Sequence, residues 1–244
     1  MSAHRREDLG KRIFYRVARA IVLTPFRVLF WVSVRGRSKV PRTGAFVVAP
    51  SHRSLMDIFF TGYITRRRIR FMAKQELFDN RFLAWLFTAL GGFPVARGSA
   101  DRAALRAAEA ALRGGEPVVI FPEGTRGHGR DLAGLFDGAA YLATRERVPI
   151  VPVGIGGSEQ ILASGRSLPR LHKVAIIIGG PIEPPEHASG RVKRHEVTKV
   201  TEKVGVELQA CLDEALALAG VSVSVDEVSR EEHAQERGGE CEGE

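Results

Sequence analysis

A histidine and an aspartate stand five residues apart in Ser51-His52-Arg53-Ser54-Leu55-Met56-Asp57, directly after the apolar stretch Ala45-Phe46-Val47-Val48-Ala49. An imidazole that takes a proton needs its other ring nitrogen held, and a nearby carboxylate can do that while stabilising the imidazolium that forms. A regular helix pairs residue i with i+4, one short of this spacing. The pairing therefore requires His52 to sit in the turn before a helix and fold back over Asp57. The proton can come from a substrate hydroxyl, so the scheme does not demand a serine nucleophile. Ser51 and Ser54 leave a covalent Ser–His–Asp route open, although no Gly-x-Ser-x-Gly elbow accompanies them.

A second polar cluster follows a second apolar run. Pro117-Val118-Val119-Ile120-Phe121 reads as a buried strand, and Pro122-Glu123-Gly124-Thr125-Arg126 breaks it into a turn. Proline ends the strand, glycine permits a close turn, and Arg126 offers a planar fork of donors suited to phosphate or carboxylate. Glu123 can orient Arg126, bind a substrate hydroxyl, or pair with a base. Arg97 follows Gly91-Gly92-Phe93-Pro94-Val95-Ala96, and Lys74 follows Phe71-Met72-Ala73, at two further strand-like exits. Three cations at three such exits suggest a preorganised anion site.

Polar clusters at strand exits imply a sheet that aims them. The chain alternates strand and helix patterns: strands at 44–50, 66–73, 118–121, 150–155 and 174–178, helices at 55–65, 76–90, 101–113, 138–144 and 192–218. The later strands are almost continuously apolar, as expected where helices cover both faces of a sheet. The spacing predicts an α/β fold with a mostly parallel or mixed central sheet covered by helices, preceded by an N-terminal membrane-associating helical hairpin. Three units are expected: 1–38 as that appendage, 39–220 as the α/β body, and 221–244 as an acidic, disordered tail.

Charge is unevenly distributed. The 244 residues carry a formal +8, yet eight acids against two arginines leave −6 in 221–244 and +14 in 1–220. A body this basic is drawn to polyanions, whether nucleic acid, anionic membrane or phosphorylated small molecules. No helix-turn-helix, zinc spacing or aromatic-basic RNA motif is visible, so no nucleic-acid partner is expected. Cys211 and Cys241, the two cysteines, argue against a disulfide scaffold or a cysteine metal site. His128 and His172 have no metal-spaced partner, and Gly154-Ile155-Gly156-Gly157 is not a nucleotide fingerprint. The N-terminus points to membrane: Arg12, Arg16 and Arg19 share one helical side, with Ile13, Phe14, Val17 and Ile21 on an apolar one. The following segment 21–34 is interrupted by Pro25 and Arg27 and falls short of the about 20 apolar residues that a span needs. An element lying in the interface fits better.

Taken in order, these motifs resemble those of the glycerolipid acyltransferases, specifically the bacterial 1-acylglycerol-3-phosphate acyltransferases. Ser51–Asp57 is similar to the family's Asn-His-x-x-x-x-Asp, with Ser51 replacing the asparagine. Gly91–Arg97, Phe121–Arg126 and Val151-Pro152-Val153-Gly154-Ile155 correspond to its second, third and fourth motifs. The resemblance implies that His52 is the general base and Asp57 its orienter, with no metal, no cofactor and no covalent acyl-enzyme. It implies that Glu123, with Gly124 and Thr125, positions the acceptor while Arg97, Arg126 and Lys74 hold its phosphate. The implied reaction moves a fatty acyl group from acyl-coenzyme A or acyl-acyl carrier protein to lysophosphatidate, giving phosphatidate. The implied setting is the cytoplasmic face of an anionic membrane. Glycerol 3-phosphate or another lysophospholipid as acceptor, and a non-catalytic basic binding protein, are the alternatives.

Overall fold

The computed structural model describes residues 3–95, 100–161, 170–185 and 192–221, with the side chains of 3–13, Lys74, Val95 and 100–103 outside that description. The apolar runs become seven strands: β1 (Ser33–Arg35), β2 (Val47–Pro50), β3 (Arg70–Lys74), β4 (Gly92–Val95), β5 (Val118–Val119), β6 (Ile150–Gly156) and β7 (Ala175–Ile178). One sheet joins them in the order β1-β7-β6-β2-β5-β3-β4. From β6 to β4 all neighbours are parallel, while β7 runs antiparallel to β6 and β1 parallel to β7. The sheet is therefore mixed, with helices over it, in keeping with the strand pattern.

Both faces are buried. Phe46 and Val48 enter one apolar cluster with Phe60, Val119, Val151 and Ile176, while Val47 and Ala49 enter another with Val118, Leu142, Ile150 and Val197. Successive residues of β2 thus face opposite layers, which is why the strand reads as continuously apolar. Helices α4 (Ala100–Arg113), α5 (Gly138–Glu146) and, after the short α6 (Ser158–Ile161), α7 (Arg194–Ala219) supply much of the second layer. The bare backbone of β6 lets α7 approach closely. A Cβ at Gly154 would lie 2.2 Å from the Cys211 carbonyl, and one at Gly156 would lie 2.4 Å from the Ala215 carbonyl carbon. The glycine run is a helix–strand contact.

Topology sets the position of the site. From β2 the chain moves outward to β3 and β4, returns through α4 to β5 between β2 and β3, and then crosses to β6 on the other side of β2. Parallel neighbours β2 and β5, in register at Val47–Val118 and Val48–Val119, deliver the 51–57 and 120–127 segments side by side at one end of the sheet. A crevice at the carboxyl ends of strands, where the winding reverses, is the position that such sheets offer to ligands.

Four elements differ from the sequence reading. The N-terminus is one helix, α1 (Ala3–Leu29), with Pro25 inside it, and no hairpin. Tertiary contacts hold the helix past the missing amide. Phe26 and Phe30 pack on Phe60 with ring centroids 6.0 and 6.1 Å apart, and the Leu23 carbonyl accepts the Tyr63 hydroxyl. Burial pushes that phenol up to about 12. Residues 33–35, placed with the appendage, instead form the edge strand β1 against β7. The expected helix over 55–65 is the five-residue α2 (Asp57–Thr61). The helix expected over 76–90 is split into a 3-10 turn, Gln75–Phe78, and α3 (Arg81–Leu90), because Asn80 caps α3 by accepting from Phe82 N and Leu83 N. The acidic tail from 222 onward lies outside the described residues.

Candidate active site

His52 leaves β2 two residues after its last residue, in irregular backbone ahead of α2. Its ring folds back so that Nδ1 lies 3.0 Å from Asp57 Oδ2. Asp57 begins α2 and is wholly buried. The same oxygen accepts the amides of Arg53 at 2.6 Å and Ser54 at 2.7 Å. One carboxylate oxygen thus shapes the loop and holds the imidazole. An acceptor already taking two N–H donors leaves Nδ1 as the donor to it, so Nε2 carries the lone pair. The ring stacks on Phe121 at 4.1 Å between centroids, 29° from parallel. The His52 side chain remains 20% exposed against 0% for Asp57, so the dyad is open only at the imidazole.

The backbone of His52 is held at both ends by the loop that follows β5. Its amide donates to Glu123 Oε1 at 2.8 Å, and its carbonyl accepts from Gly127 N at 2.8 Å. The sequence leaves Glu123 three roles, orienting Arg126, binding a substrate hydroxyl or pairing with a base, and the resemblance implies that it positions the acceptor. Its carboxylate is fully buried, with Oε2 accepting from Ala133 N at 3.1 Å and lying 3.3 Å from Arg53 Nη1. Both oxygens face the protein's own donors. Gly124, Thr125 and Arg126 form an exposed turn above it. Among the described residues, the Arg126 guanidinium has no hydrogen-bond or ion-pair partner.

The remaining candidates are distributed as follows. Lys74 is the last residue of β3 and leaves the sheet at the same end as His52, with its side chain outside the description. Arg97, beyond the end of β4, lies outside the described residues. Ser51 Oγ accepts from Ile155 N at 2.9 Å, and Ser54 Oγ accepts from Met56 N at 3.3 Å. Both hydroxyls serve backbone, and neither is bonded to His52 among the described residues. His128 pairs with Glu159 at 3.0 Å on the surface, and His172 faces its neighbour's carbonyl. Among the described residues no group of three or more His, Cys, Asp or Glu side chains is placed to hold a metal ion.

Beside the turn lies an apolar cavity of about 810 Å³. Ile120, Gly124 and Phe136 bound it at the site end, with Met72, Leu105, Tyr141 and Val197 among its other walls and Arg194 on its lining. This volume lies within the ~300–1,000 Å³ typical of ligand pockets. Sequence reading missed the cavity, Arg53 and Gly127. A single sequence carries no signal for the cavity, while Arg53 lies inside one recognised motif and Gly127 adjoins another.

Comparison with known proteins places these motifs in context. A family model described as Acyltransferase matches residues 31–156. The chain is 30% identical over 186 residues, 75% of its length and 90% of the other's, to a 1-acyl-sn-glycerol-3-phosphate acyltransferase of Bacillus subtilis. It is 29% identical over 183 residues to a protein of the same description from Streptococcus pneumoniae, covering 71% of this chain and 64% of that one. The crystal structure of the 1-acyl-sn-glycerophosphate acyltransferase from Thermotoga maritima superimposes with a TM-score of 0.71 and 26% identity, covering 89% of this chain and 84% of that one.

Proposed function

The chain belongs to the acyltransferase family, and we propose that it moves a fatty acyl group from a thioester donor to the free hydroxyl of 1-acylglycerol 3-phosphate, giving phosphatidate. The observation that carries this reading is the half-open dyad, in which Asp57 holds Nδ1 of a partly exposed His52 ring and leaves Nε2 to take a proton.

In the proposed mechanism the acceptor hydroxyl oxygen attacks the thioester carbonyl carbon while its proton passes to His52 Nε2. Asp57 stabilises the imidazolium. The tetrahedral intermediate collapses, the C–S bond breaks, and the departing sulfur takes the proton from Nε2 to leave as a thiol. The new ester oxygen keeps the acyl group, and His52 returns to its starting state. The donor is an acyl chain on coenzyme A or on an acyl carrier protein, and the cavity beside Gly124 receives an acyl chain. Arg126, with Arg97 and Lys74, binds the acceptor's phosphate, and Glu123 acts from beneath by holding the His52 backbone.

The acceptor is a membrane lipid, so the protein must meet a bilayer. No described helix is long and apolar enough to cross one. Helix α1 buries Tyr15, Ala18 and Leu23 on the body but exposes Phe14, Val17, Ile21, Val28 and Leu29, with Trp31 just beyond. On α3, Phe82 and Trp85 are exposed beside Phe14, whose ring lies 5.8 Å from that of Trp85. With the exposed Arg16 and Arg66, this face suits peripheral docking on the anionic cytoplasmic leaflet.

The direct test is turnover of lysophosphatidate and an acyl thioester by the purified protein. His52→Ala is expected to lose about 10²–10⁴-fold in kcat while remaining folded. Near-normal rates in that variant would remove His52 from the chemistry.

A further inference from the structure

Arg53 sits between the two polar clusters and touches both. Its amide donates to Asp57 Oδ2 at 2.6 Å, while its guanidinium, 1% exposed, lies 3.3 Å from the fully buried Glu123 carboxylate. The other arm of the fork, Nη2, donates to the Asp131 carbonyl at 2.8 Å. Gly127 lies flat against this pair. A Cβ there would fall 1.8 Å from Arg53 Nη1 and 2.7 Å from Glu123 Oε2. Gly127 also donates to the His52 carbonyl, and Glu123 accepts the His52 amide. The buried ion pair and the two hydrogen bonds on the catalytic histidine's backbone are therefore one packed unit.

We propose that Arg53 is a positioning residue for acyl transfer, setting the His52 ring through Glu123 and Gly127 without touching substrate. The proposal rests on His52 being the base. A buried carboxylate is retained as an anion when a countercharge accompanies it. Glu123 accepts at both oxygens, from His52 N at one and Ala133 N at the other, the acceptor-only pattern of a carboxylate. Among the described residues Arg53 is the cation in contact with it, and the groups facing the unit are His52, Asp57 and Arg53 itself. Removing the cation destabilises the acceptor that fixes His52's backbone, and misplacement of a catalytic group on the order of 1 Å can cost 10²-fold in rate.

The test uses the full chain with Arg53→Met, Arg53→Lys, and a double variant, Arg53→Met with Glu123→Gln, which removes both buried charges and guards against misfolding of the single one. Expected for Arg53→Met is a fall of about 10²-fold in kcat, with KM for lysophosphatidate and acyl-coenzyme A changed by less than about threefold. Arg53→Lys keeps the charge and recovers about a tenfold part of that loss. The double variant folds but stays slow, since His52 N and Ala133 N bond different oxygens of Glu123 and the glutamine's NH2 cannot accept at one of those two positions.

Imidazole nitrogen NMR, with the His52 signals identified by their absence in His52→Ala, provides a readout independent of turnover. The wild type is expected to hold the Nδ1–H tautomer, and Arg53→Met to mix the two. Wild-type kcat and a single tautomer in folded Arg53→Met, or in the double variant, would overturn the proposal. Retained activity in His52→Ala would overturn the assignment of His52 as base, while the tautomer spectrum would still decide whether Arg53 sets the ring.

Discussion

Asp57 Oδ2 lies 3.0 Å from His52 Nδ1 and takes two loop amides as well, while Oδ1 of the same carboxylate is buried with no hydrogen-bond partner among the described residues. This one-sided use predicts what an amide does in its place. In Asp57→Asn the carbonyl oxygen can take over all three bonds, so the ring keeps its tautomer. The side-chain amide nitrogen then occupies the unpartnered position, where an unsatisfied buried donor costs about 1–3 kcal/mol of stability. The charge that stabilises the imidazolium is lost, and kcat is expected to fall about 10²-fold. Single-turnover kinetics and thermal melts check both parts. A full rate would show that the carboxylate charge does not contribute.

The elements legible in the sequence were those whose signal is local and repeated. β6 is apolar throughout because helices cover both its faces, and α7 carries Val197, Val200, Val204, Leu208 and Leu212 toward the sheet. The His52–Asp57 pairing was legible because a spacing of five residues excludes a regular helix and leaves a folded-back loop. What escaped depends on partners far along the chain. β1 is a strand only because Ile176 and its neighbours pair with it. Among the three roles the sequence leaves to Glu123, the choice appears only when Arg53, His52 and Ala133 close around it. The N-terminal hairpin was inferred from Pro25, whose local break is outweighed by the packing of Phe26 and Phe30 on Phe60.

Of the three cations proposed for the phosphate site, Arg126 is the one whose side chain lies within the described residues, exposed at the top of the turn. Hydrogen bonds to a charged partner are worth more than those to a neutral one. Arg126→Ala is therefore expected to lower kcat/KM for lysophosphatidate by about tenfold to a hundredfold. A matched neutral monoacylglycerol should lose much less. Side-by-side rates on the two acceptors make the comparison, and equal losses on both would remove Arg126 from the phosphate site.

The cavity beside Gly124 gives a length prediction. Leu105 and Val197 stand on its walls, on α4 and α7. Leu105→Trp fills part of the space, and one methylene that no longer fits costs about tenfold or more in kcat/KM. Competition between acyl thioesters of graded length should then shift toward shorter chains, with the total rate on short donors little changed. An unchanged length profile in the folded variant would place the acyl chain elsewhere.

The outward side of α1 can be tested without disturbing the body. Removing residues 1–34 would also strip most of β1 and, by deleting Phe26 and Phe30, uncover Phe60, so loss of membrane binding in a truncated chain would be ambiguous. Val17 and Ile21 are 51% and 68% exposed, and replacing both with aspartate leaves the buried side of the helix intact. Their apolar area enters the headgroup boundary, while Arg16 and the neighbouring basic residues are attracted to anionic lipid. Salt weakens the second contribution and leaves the first. Sedimentation with vesicles containing anionic phospholipid, across a salt series, should show the wild type retaining salt-resistant binding that Val17→Asp with Ile21→Asp lacks. Activity on vesicle-borne lysophosphatidate should fall in parallel, while activity on the same lipid dispersed in detergent should persist. Equal vesicle binding by wild type and variant would move the docking face away from α1, toward the basic run at Arg66–Arg70.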